Sequence, residues 1–312
     1  MAGQMSIPVV WLGMAPLLSP TREFGGLVLP PLRMPGWLNL LTHRLTRLMM
    51  SPSAKTMTAA HRQVFAQPPR RLPKHDLPAL YGISRHLVPQ PHDWSSTQRI
   101  CGAWYARVPD FQPSAELTAF LDSGPPPIYV GFGSVSGMYG PKVFDALVAA
   151  VGDRRALFFP GWTEFDRVRL PGNFFVIGET SHDWLFPRTS MVIHHGGAGT
   201  SHSATRAGVP SVVIPMGVDQ PFWASRLAAA GVAPQYVRSA KVTAADLSAM
   251  IEFASRPEVR ERATALAAAM AQEDGVAYAV RFIEEFVPAN RSGIPAPDRS
   301  SVSNARSRML AS

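Results

Sequence analysis

The residues best suited to chemistry stand at positions 194–200, which read His-His-Gly-Gly-Ala-Gly-Thr. An apolar run at 191–193 precedes them and a helix-like segment at 203–207 follows. A glycine turn that opens a helix presents unpaired backbone N–H groups and the positive end of the helix dipole, and both favour bound phosphate. The pattern therefore predicts an anion site at this turn.

A second polar feature follows the next apolar run, 211–214, where Pro215 leads to Asp219 and Gln220. One carboxylate and one amide suit the hydroxyl groups of a sugar. Phosphate at one place and hydroxyls at the other describe a nucleotide-sugar.

Three histidines accompany these loops. Adjacent residues of a strand point to opposite faces, so only one of His194 and His195 should reach a ligand. Metal binding and core packing remain the alternatives for this pair, although no carboxylate stands at metal-ligand spacing. His182 would cap or pack unless its loop meets the turn of His195 at one sheet edge, which the predicted topology allows.

A second glycine-rich turn, residues 131–137, follows the first strand of the regular half. Its third glycine comes one position too late for the dinucleotide fingerprint. An ordinary turn and a ligand loop both remain open, and its place at the carboxyl edge of the sheet favours the ligand loop.

From residue 124 onward, short apolar strands alternate with helices. This alternation predicts the α/β class, with a parallel sheet covered on both faces. The predicted strands are 128–132, 156–159, 174–177, 191–193 and 212–214. The predicted helices are 141–151, 182–186, 201–207, 222–230, 243–254, 257–272 and 275–286.

The remaining segments are less regular. Residues 1–123 are rich in proline and predict one helix near 37–64 and short strands at 9–13 and 79–87. The proline cluster at 123–127 indicates a linker or hinge. We therefore divide the chain into a partial domain at 1–123, a complete Rossmann-type domain at 124–287 and a disordered tail at 288–312.

Composition excludes several classes. The chain of 312 residues is 46% hydrophobic and holds one cysteine, so it has neither an internal disulfide nor a cysteine-based metal cluster. No apolar run approaches the roughly 20 residues that span a bilayer. The apolar start, 7–18, lacks the basic lead-in of a signal peptide and predicts a buried strand. We expect a cytoplasmic protein.

The net charge of +8 is unevenly distributed. The first 123 residues hold 12 basic and 6 acidic side chains, whereas residues 124–287 hold 14 and 15. No basic stripe with interleaved aromatic residues indicates a nucleic acid partner. The charge indicates either simple solubility or attraction of the first third to an anionic membrane surface, which implies peripheral contact at the inner membrane face.

Residues 181–187 and 194–220 resemble the donor-binding signature of the GT-B glycosyltransferases. The resemblance is to the branch that contains sterol glucosyltransferases and the bacterial enzymes that glycosylate antibiotics. It extends from about residue 7 to 287 and includes shorter matches at 20–21, 91–94, 131–134, 161–162, 220–223 and 273–275.

The resemblance implies a role for each matching residue. The implied diphosphate contacts are Ser134, His195, Ala198, Gly199 and Thr200. Thr180 would meet the base, His182 would contact the nucleotide-sugar, and Asp219 with Gln220 would hold the sugar hydroxyls.

The resemblance also implies a reaction. It is the inverting transfer of a hexose, with glucose expected, from a UDP-sugar to a hydroxyl of a sterol-like, glycolipid or polyketide acceptor. No metal or further cofactor is implied. The basic charge and the tryptophans at 11, 37, 94 and 104 favour a hydrophobic or lipid acceptor.

One departure concerns the general base. Family members begin with a strand and a loop of the Gly-Ser-Arg-Gly-Asp kind that supplies this base, and no residue here matches it. Among the residues present, His43, His61, His75 and Asp93 are the candidates.

The departure leaves an alternative open, a nucleotide-sugar-binding remnant or accessory subunit without catalysis. A partial first domain should also expose apolar surface, so we expect poor solubility or oligomerisation.

Overall fold

The computed structural model describes residues 9–29, 31–49, 77–105, 110–133, 139–161 and 170–289. Within these ranges the chain alternates between short strands and helices. The strands are β1 (Trp11–Gly13), β2 (Ala79–Tyr81), β3 (Gln98–Ile100), β4 (Ile128–Gly131), β5 (Ala156–Phe159), β6 (Phe174–Val176), β7 (Met191–His194) and β8 (Ser211–Val213). The helices are α1 (Gly36–Met49), α2 (Ala115–Asp122), α3 (Pro141–Val151), α4 (His182–Leu185), α5 (Ala198–Arg206), α6 (Gln220–Ala229), α7 (Ala244–Ala254), α8 (Pro257–Met270) and α9 (Gly275–Ala289).

The larger sheet has five parallel strands in the order β6-β5-β4-β7-β8. Successive residues of β4 point to opposite faces: Ile128 and Val130 pack with α3 and α7, and Tyr129 packs with α2, α4 and α5. Both faces of the larger sheet are therefore buried under helices, which explains why the sequences of its strands are continuous apolar runs. The strand order reverses between β4 and β7, and such a reversal opens a crevice at the carboxyl ends.

The smaller sheet has three parallel strands in the order β1-β2-β3. The last helix, α9, packs on it through Ala279, which lies against Leu80 and Cys101. A shared core joins the smaller sheet to α6, with Tyr81 and Trp223 among its buried members. Apolar packing thus connects the first part of the chain to the helix that follows β8.

The sequence predicted the architecture correctly: the α/β class and the parallel sheet are confirmed, and each predicted strand and helix of residues 124–287 is present within a few residues. The predicted strand at 79–87 is too long, because the chain turns at residues 84–88. β3 was not predicted. Helix α5 begins at Ala198, three residues before the predicted start, and Gln220 belongs to α6 rather than to a polar loop.

The predicted domain limits coincide only partly with the packing. Helix α2 precedes the predicted boundary yet packs on the five-stranded sheet, and α9 follows it yet packs on the three-stranded one. In the proline cluster, the Arg155 guanidinium donates to the carbonyl of Pro125 at 2.5 Å. Helix α9 continues to Ala289, two residues into the predicted tail, and residues 290–312 lie outside the described ranges. The division itself stays a prediction.

The predicted helix at 37–64 corresponds to α1, and its second part, from residue 50, lies outside the described ranges. None of the helices that the structure describes combines the length and the apolar character that crossing a membrane requires.

Candidate functional site

The two histidines at the end of β7 have different environments. His194 is completely buried, and its Nδ1 accepts the backbone N–H of Gly196 at 3.1 Å. Burial and the neighbouring His195 lower the pKa of His194 to about 3, so its ring is neutral. His195 is half-buried, and its ring stands 6.4 Å from that of His194 at 87°. As predicted, the pair divides between the core and the crevice.

A sharp turn at Gly196 separates β7 from α5. Gly196 has a φ of +90°, and a Cβ there would lie 2.7 Å from Cγ1 of Val213 and 3.0 Å from the carbonyl oxygen of Gln220. Only glycine combines this backbone conformation with so close a neighbour. The turn therefore places the end of β7 directly against the start of α6.

The ring of His195 lies between two glycine-containing loops. A Cβ on Gly197 would approach His195 Nε2 to 2.4 Å, and a Cβ on Gly133 would lie 3.4 Å from its Cε1. The loops after β4 and β7 thus meet at the crevice, which supports the ligand interpretation of the turn at 131–137. Ser134, the predicted phosphate contact of that turn, lies outside the described residues.

Helix α5 begins at this crevice without a side-chain cap. Gly197 occupies the N-cap position, and the first backbone N–H to find a helical partner is that of Ser201, which donates to the Gly197 carbonyl at 2.9 Å. The N–H groups of Ala198, Gly199 and Thr200 therefore point out of the helix end. The ring of His195 lies against Gly197, the residue directly before these three donors.

Burial favours the neutral form of the histidines in the crevice, His195 and His182. Burial lowers the pKa of His195, and the carboxylate of Asp219 opposes that shift in part. Burial likewise lowers the pKa of His182, whose ring stacks on Phe186 with 4.2 Å between centroids. Neutral imidazoles donate one hydrogen bond each, while the dipole of α5 supplies the positive potential.

Asp219 and Gln220 stand at the start of α6, and each has an intramolecular partner. Oδ2 of Asp219 accepts the indole N–H of Trp223 at 2.9 Å. Oε1 of Gln220 accepts the backbone N–H of Met216 at 2.7 Å and that of Gly217 at 3.3 Å. These bonds fix both side chains, so that Oδ1 of Asp219 and the amide NH₂ of Gln220 are the groups suited to sugar hydroxyls.

The predicted base contact lies in a cavity beside the helix end. Thr180, His182 and Gly199 line a cavity of about 350 Å³ together with residues 103–105 of the first part of the chain. Thr180 and His182 also line a second cavity of about 260 Å³, behind the carboxyl ends of β5 and β6. The loop after β6 therefore meets the start of α5, as the predicted topology allows.

The structure thus gathers the predicted residues into two adjoining groups. One group surrounds the helix end and consists of His195, Ala198, Gly199, Thr200, Asp219 and Gln220. The other lines the cavities and consists of Thr180 and His182. Their roles toward a ligand stay predictions.

Sequence reasoning missed His202. It is 5% exposed, and its Nε2 accepts the backbone N–H of Ser84 at 3.1 Å, while its Nδ1 donates to the Ala198 carbonyl at 2.7 Å. Burial lowers its pKa to about 4. One ring thus connects the start of α5 to the segment that follows β2. The sequence signal that could have identified His202 is its place four residues after Ala198, in a polar helix between two buried strands.

Glu273 holds the same segment from the other side. Its Oε1 accepts the hydroxyl of Ser84 at 3.1 Å and the backbone N–H of Arg85 at 2.9 Å. The predicted resemblance at 273–275 therefore coincides with a contact between the turn before α9 and the loop after β2. That loop is fixed by His202 and Glu273 together.

The two described candidates for a general base have structural partners. His43 is 4% exposed, and its Nε2 donates to the Phe24 carbonyl at 3.0 Å. Asp93 accepts the hydroxyl of Thr21 at 2.5 Å and the backbone N–H of Arg22 at 2.8 Å. His61 and His75 lie outside the described ranges. Within the part of the chain that the structure describes, no group of three or more His, Cys, Asp or Glu is placed to hold a metal ion.

Comparison with known proteins is consistent with this geometry. Residues 149–285 match the family model described as "Erythromycin biosynthesis protein CIII-like, C-terminal domain". The chain is 35% identical over 226 residues to a sterol 3-beta-glucosyltransferase of Arabidopsis thaliana, covering 71% of this chain and 36% of that protein. It is 39% identical over 224 residues to the O-mycaminosyltylonolide 6-deoxyallosyltransferase of Streptomyces fradiae. That match covers 71% of this chain and 52% of that protein.

Among solved structures, the glycosyltransferase of kitacinnamycin superposes with a TM-score of 0.58 at 24% identity, covering 78% of this chain and 67% of that one. The fold is therefore that of the GT-B class of glycosyltransferases. More particularly, the chain belongs to the family of the sterol and antibiotic glycosyltransferases, and it spans about a third to a half of the length of the curated relatives that it matches.

Two glycines of the turn should respond oppositely to alanine. Gly196→Ala forces a side chain into a left-handed backbone against Val213, so we expect the free energy of unfolding to fall by about 1–3 kcal/mol. Gly199→Ala is the matched control, because a Cβ there meets open space and alanine favours the helix. Urea unfolding measures both; equal stability of Gly196→Ala and wild type would contradict the assigned turn.

Acid should destabilise the fold through His202. An unfolded histidine titrates near 6.5 and the folded one near 4, so the unfolded state alone binds this proton between those pH values. The contribution of His202 to the free energy of unfolding is therefore complete above pH 6.5 and is lost as the pH falls toward 4. The loss amounts to about 3 kcal/mol.

Urea unfolding across this pH range tests the assignment. His202→Gln can still accept the Ser84 N–H but cannot titrate, so its stability should fall less steeply than that of wild type. His92→Gln is the control, since the His92 side chain is 95% exposed. Identical pH slopes for wild type and His202→Gln would refute the role of His202.

Proposed function

We propose that the crevice between β4 and β7 binds a UDP-sugar and that the protein transfers its hexose, with glucose as the first candidate, to a hydroxyl of a hydrophobic acceptor. The observation that carries the proposal is the uncapped start of α5 at the strand-order reversal, with the ring of His195 against it. The similarity to sterol and antibiotic glycosyltransferases supports the same reaction class.

The proposed donor pose follows from the chemistry of the two groups of residues. The diphosphate would accept the N–H groups of Ala198, Gly199 and Thr200 and one hydrogen bond from neutral His195. The base would enter the cavities beside Thr180 and His182. The hexose would then extend toward α6, where Asp219 accepts and Gln220 donates hydrogen bonds to its hydroxyls.

The proposed reaction is a direct displacement with inversion. The acceptor oxygen forms a bond to the anomeric carbon, the bond from that carbon to the diphosphate breaks, and its electron pair stays on UDP. Negative charge develops on the leaving diphosphate, where the helix dipole and His195 stabilise it. The acceptor proton passes to a base, which we leave unassigned because His43 and Asp93 are engaged elsewhere. No metal or further cofactor is required.

A second function, nucleotide-sugar binding without transfer, is favoured by those same engagements of His43 and Asp93. In that case the chain would act as an accessory or remnant donor domain. Titration calorimetry with UDP-glucose, followed by an assay for sugar release or transfer with a sterol or polyketide acceptor, distinguishes the two. Binding with turnover supports the transferase, and binding without turnover supports the second function.

Removal of the His195 side chain should weaken the diphosphate site. We expect His195→Ala to lose about 1.5–3 kcal/mol of binding free energy for both UDP and UDP-glucose, because one buried hydrogen bond to a charged group disappears. Calorimetry measures both ligands. His92→Ala, a change at an exposed histidine, should bind as wild type does. Unchanged affinity of His195→Ala for UDP would contradict the site.

Asp219 should discriminate between the two ligands. Asp219→Asn keeps an oxygen that can accept the Trp223 indole N–H, so the fold should persist, but it removes the negative charge offered to the sugar. We expect affinity for UDP-glucose to fall more than affinity for UDP. The ratio of the two dissociation constants is the readout, and an equal loss for both ligands would reject the sugar role of Asp219.

A further inference from the structure

Helix α1 has its polar and apolar faces reversed relative to an ordinary surface helix. The residues of α1 that are buried are polar, namely Asn39, Thr42, His43 and Thr46. A stripe of large apolar side chains on the opposite face is exposed to solvent, by 67% at Trp37, 50% at Leu41, 45% at Leu45 and 67% at Leu48. The spacing of these four residues follows one helical face.

Specific hydrogen bonds fix this orientation. Asn39 donates to the Arg22 carbonyl at 2.7 Å, Thr42 accepts the backbone N–H of Gly26 at 2.8 Å, and His43 donates to the Phe24 carbonyl at 3.0 Å. Rotation of the helix would break all three bonds. The outward apolar stripe is therefore built into the fold.

Beside the stripe, α1 and the smaller sheet border a common cavity. Trp11 and Leu18, 39% and 42% exposed, line a cavity of about 270 Å³ together with Leu40 and Arg44 of α1. This cavity also touches Ala79 and Gln98, the first residues of β2 and β3. It lies at the amino ends of the strands, whereas their carboxyl ends lead toward α6 and the donor crevice. The surface is thus separate from the proposed donor site.

The sequence segment that contains α1 carries charge of one sign. Residues 24–75 contain eight Lys and Arg and neither Asp nor Glu. Three of these basic residues, Arg33, Arg44 and Arg47, are exposed on or beside α1, and none of them takes part in an ion pair with another described residue. An amphipathic helix with aromatic and leucine side chains and arginines at its border matches the interface of an anionic bilayer.

We infer that the face formed by Trp11, Trp37, Leu41, Leu45 and Leu48, with Arg44 and Arg47 beside it, docks the protein on an anionic lipid surface. The apolar side chains would enter the boundary between headgroups and acyl chains, and the arginines would contact lipid phosphates and carboxylates. This inference does not depend on sugar transfer, since binding to lipid needs neither donor nor acceptor.

Vesicle flotation with the full chain tests the inference. We expect binding to vesicles of phosphatidylcholine mixed with phosphatidylserine, weaker binding to phosphatidylcholine alone, and release as salt screens the charges. Leu41→Glu with Leu45→Glu should lower the partition coefficient at least roughly tenfold, because two exposed leucines that would enter the lipid become charged. Arg44→Gln with Arg47→Gln should lower it by roughly 30-fold on anionic vesicles only.

The chain offers a matched control on α9. Val276 and Val280 are four residues apart, as are Leu41 and Leu45, and are similarly exposed, by 50% and 47%. Val276→Glu with Val280→Glu changes the net charge equally and should leave flotation unchanged. Circular dichroism confirms that each variant is folded.

Three outcomes would overturn the inference. The first is that wild type does not float with anionic vesicles. The second is that the α1 and α9 variants lose binding equally. The third is that wild type binds no lipid and is a dimer in light scattering, whereas Leu41→Glu with Leu45→Glu is a monomer. The face would then be a self-association surface.

Discussion

The sharp turn after β7 is the constraint on which the site depends. Gly196 adopts a left-handed backbone in contact with β8 and the start of α6, so the chain reverses within two residues of His194. That reversal directs the free N–H groups of α5 into the crevice where the order of the sheet changes. A larger residue at 196 would separate strand from helix, and the helix end would no longer face the loop that follows β4.

Buried neutral histidines extend this constraint across the molecule. His194 accepts the N–H of Gly196, and His202 connects Ala198 to Ser84 of the first part of the chain. Both rings are neutral because burial lowers their pKa values, so they serve as fixed donors and acceptors rather than as charges. Neutral rings add no positive charge at the crevice, and His202 fastens α5 to the loop after β2.

Sequence reasoning was most successful where local chemistry determines structure. The glycines at 196, 197 and 199 and the apolar runs beside them allowed the turn, the helix and the parallel strands to be predicted, and they placed His195 and Asp219 near each other. Features set by distant contacts were not predicted. His202 contacts Ser84, which is 118 positions away in the sequence. The exposure of the apolar face of α1 depends on which side of that helix forms hydrogen bonds with residues 22–26. The positions of the residues proposed to bind the donor were thus largely predictable, and their connections to the first part of the chain were not.

The proposed donor site depends on diphosphate binding by the backbone N–H groups at the start of α5. Amide chemical shifts of the ¹⁵N-labelled protein during titration with UDP report on these groups one by one. We predict the largest, saturable shifts at Ala198, Gly199 and Thr200, with smaller ones near Thr180. Saturable shifts confined to other residues, or none at these three amides at UDP concentrations that saturate a relative of the same family, would contradict it.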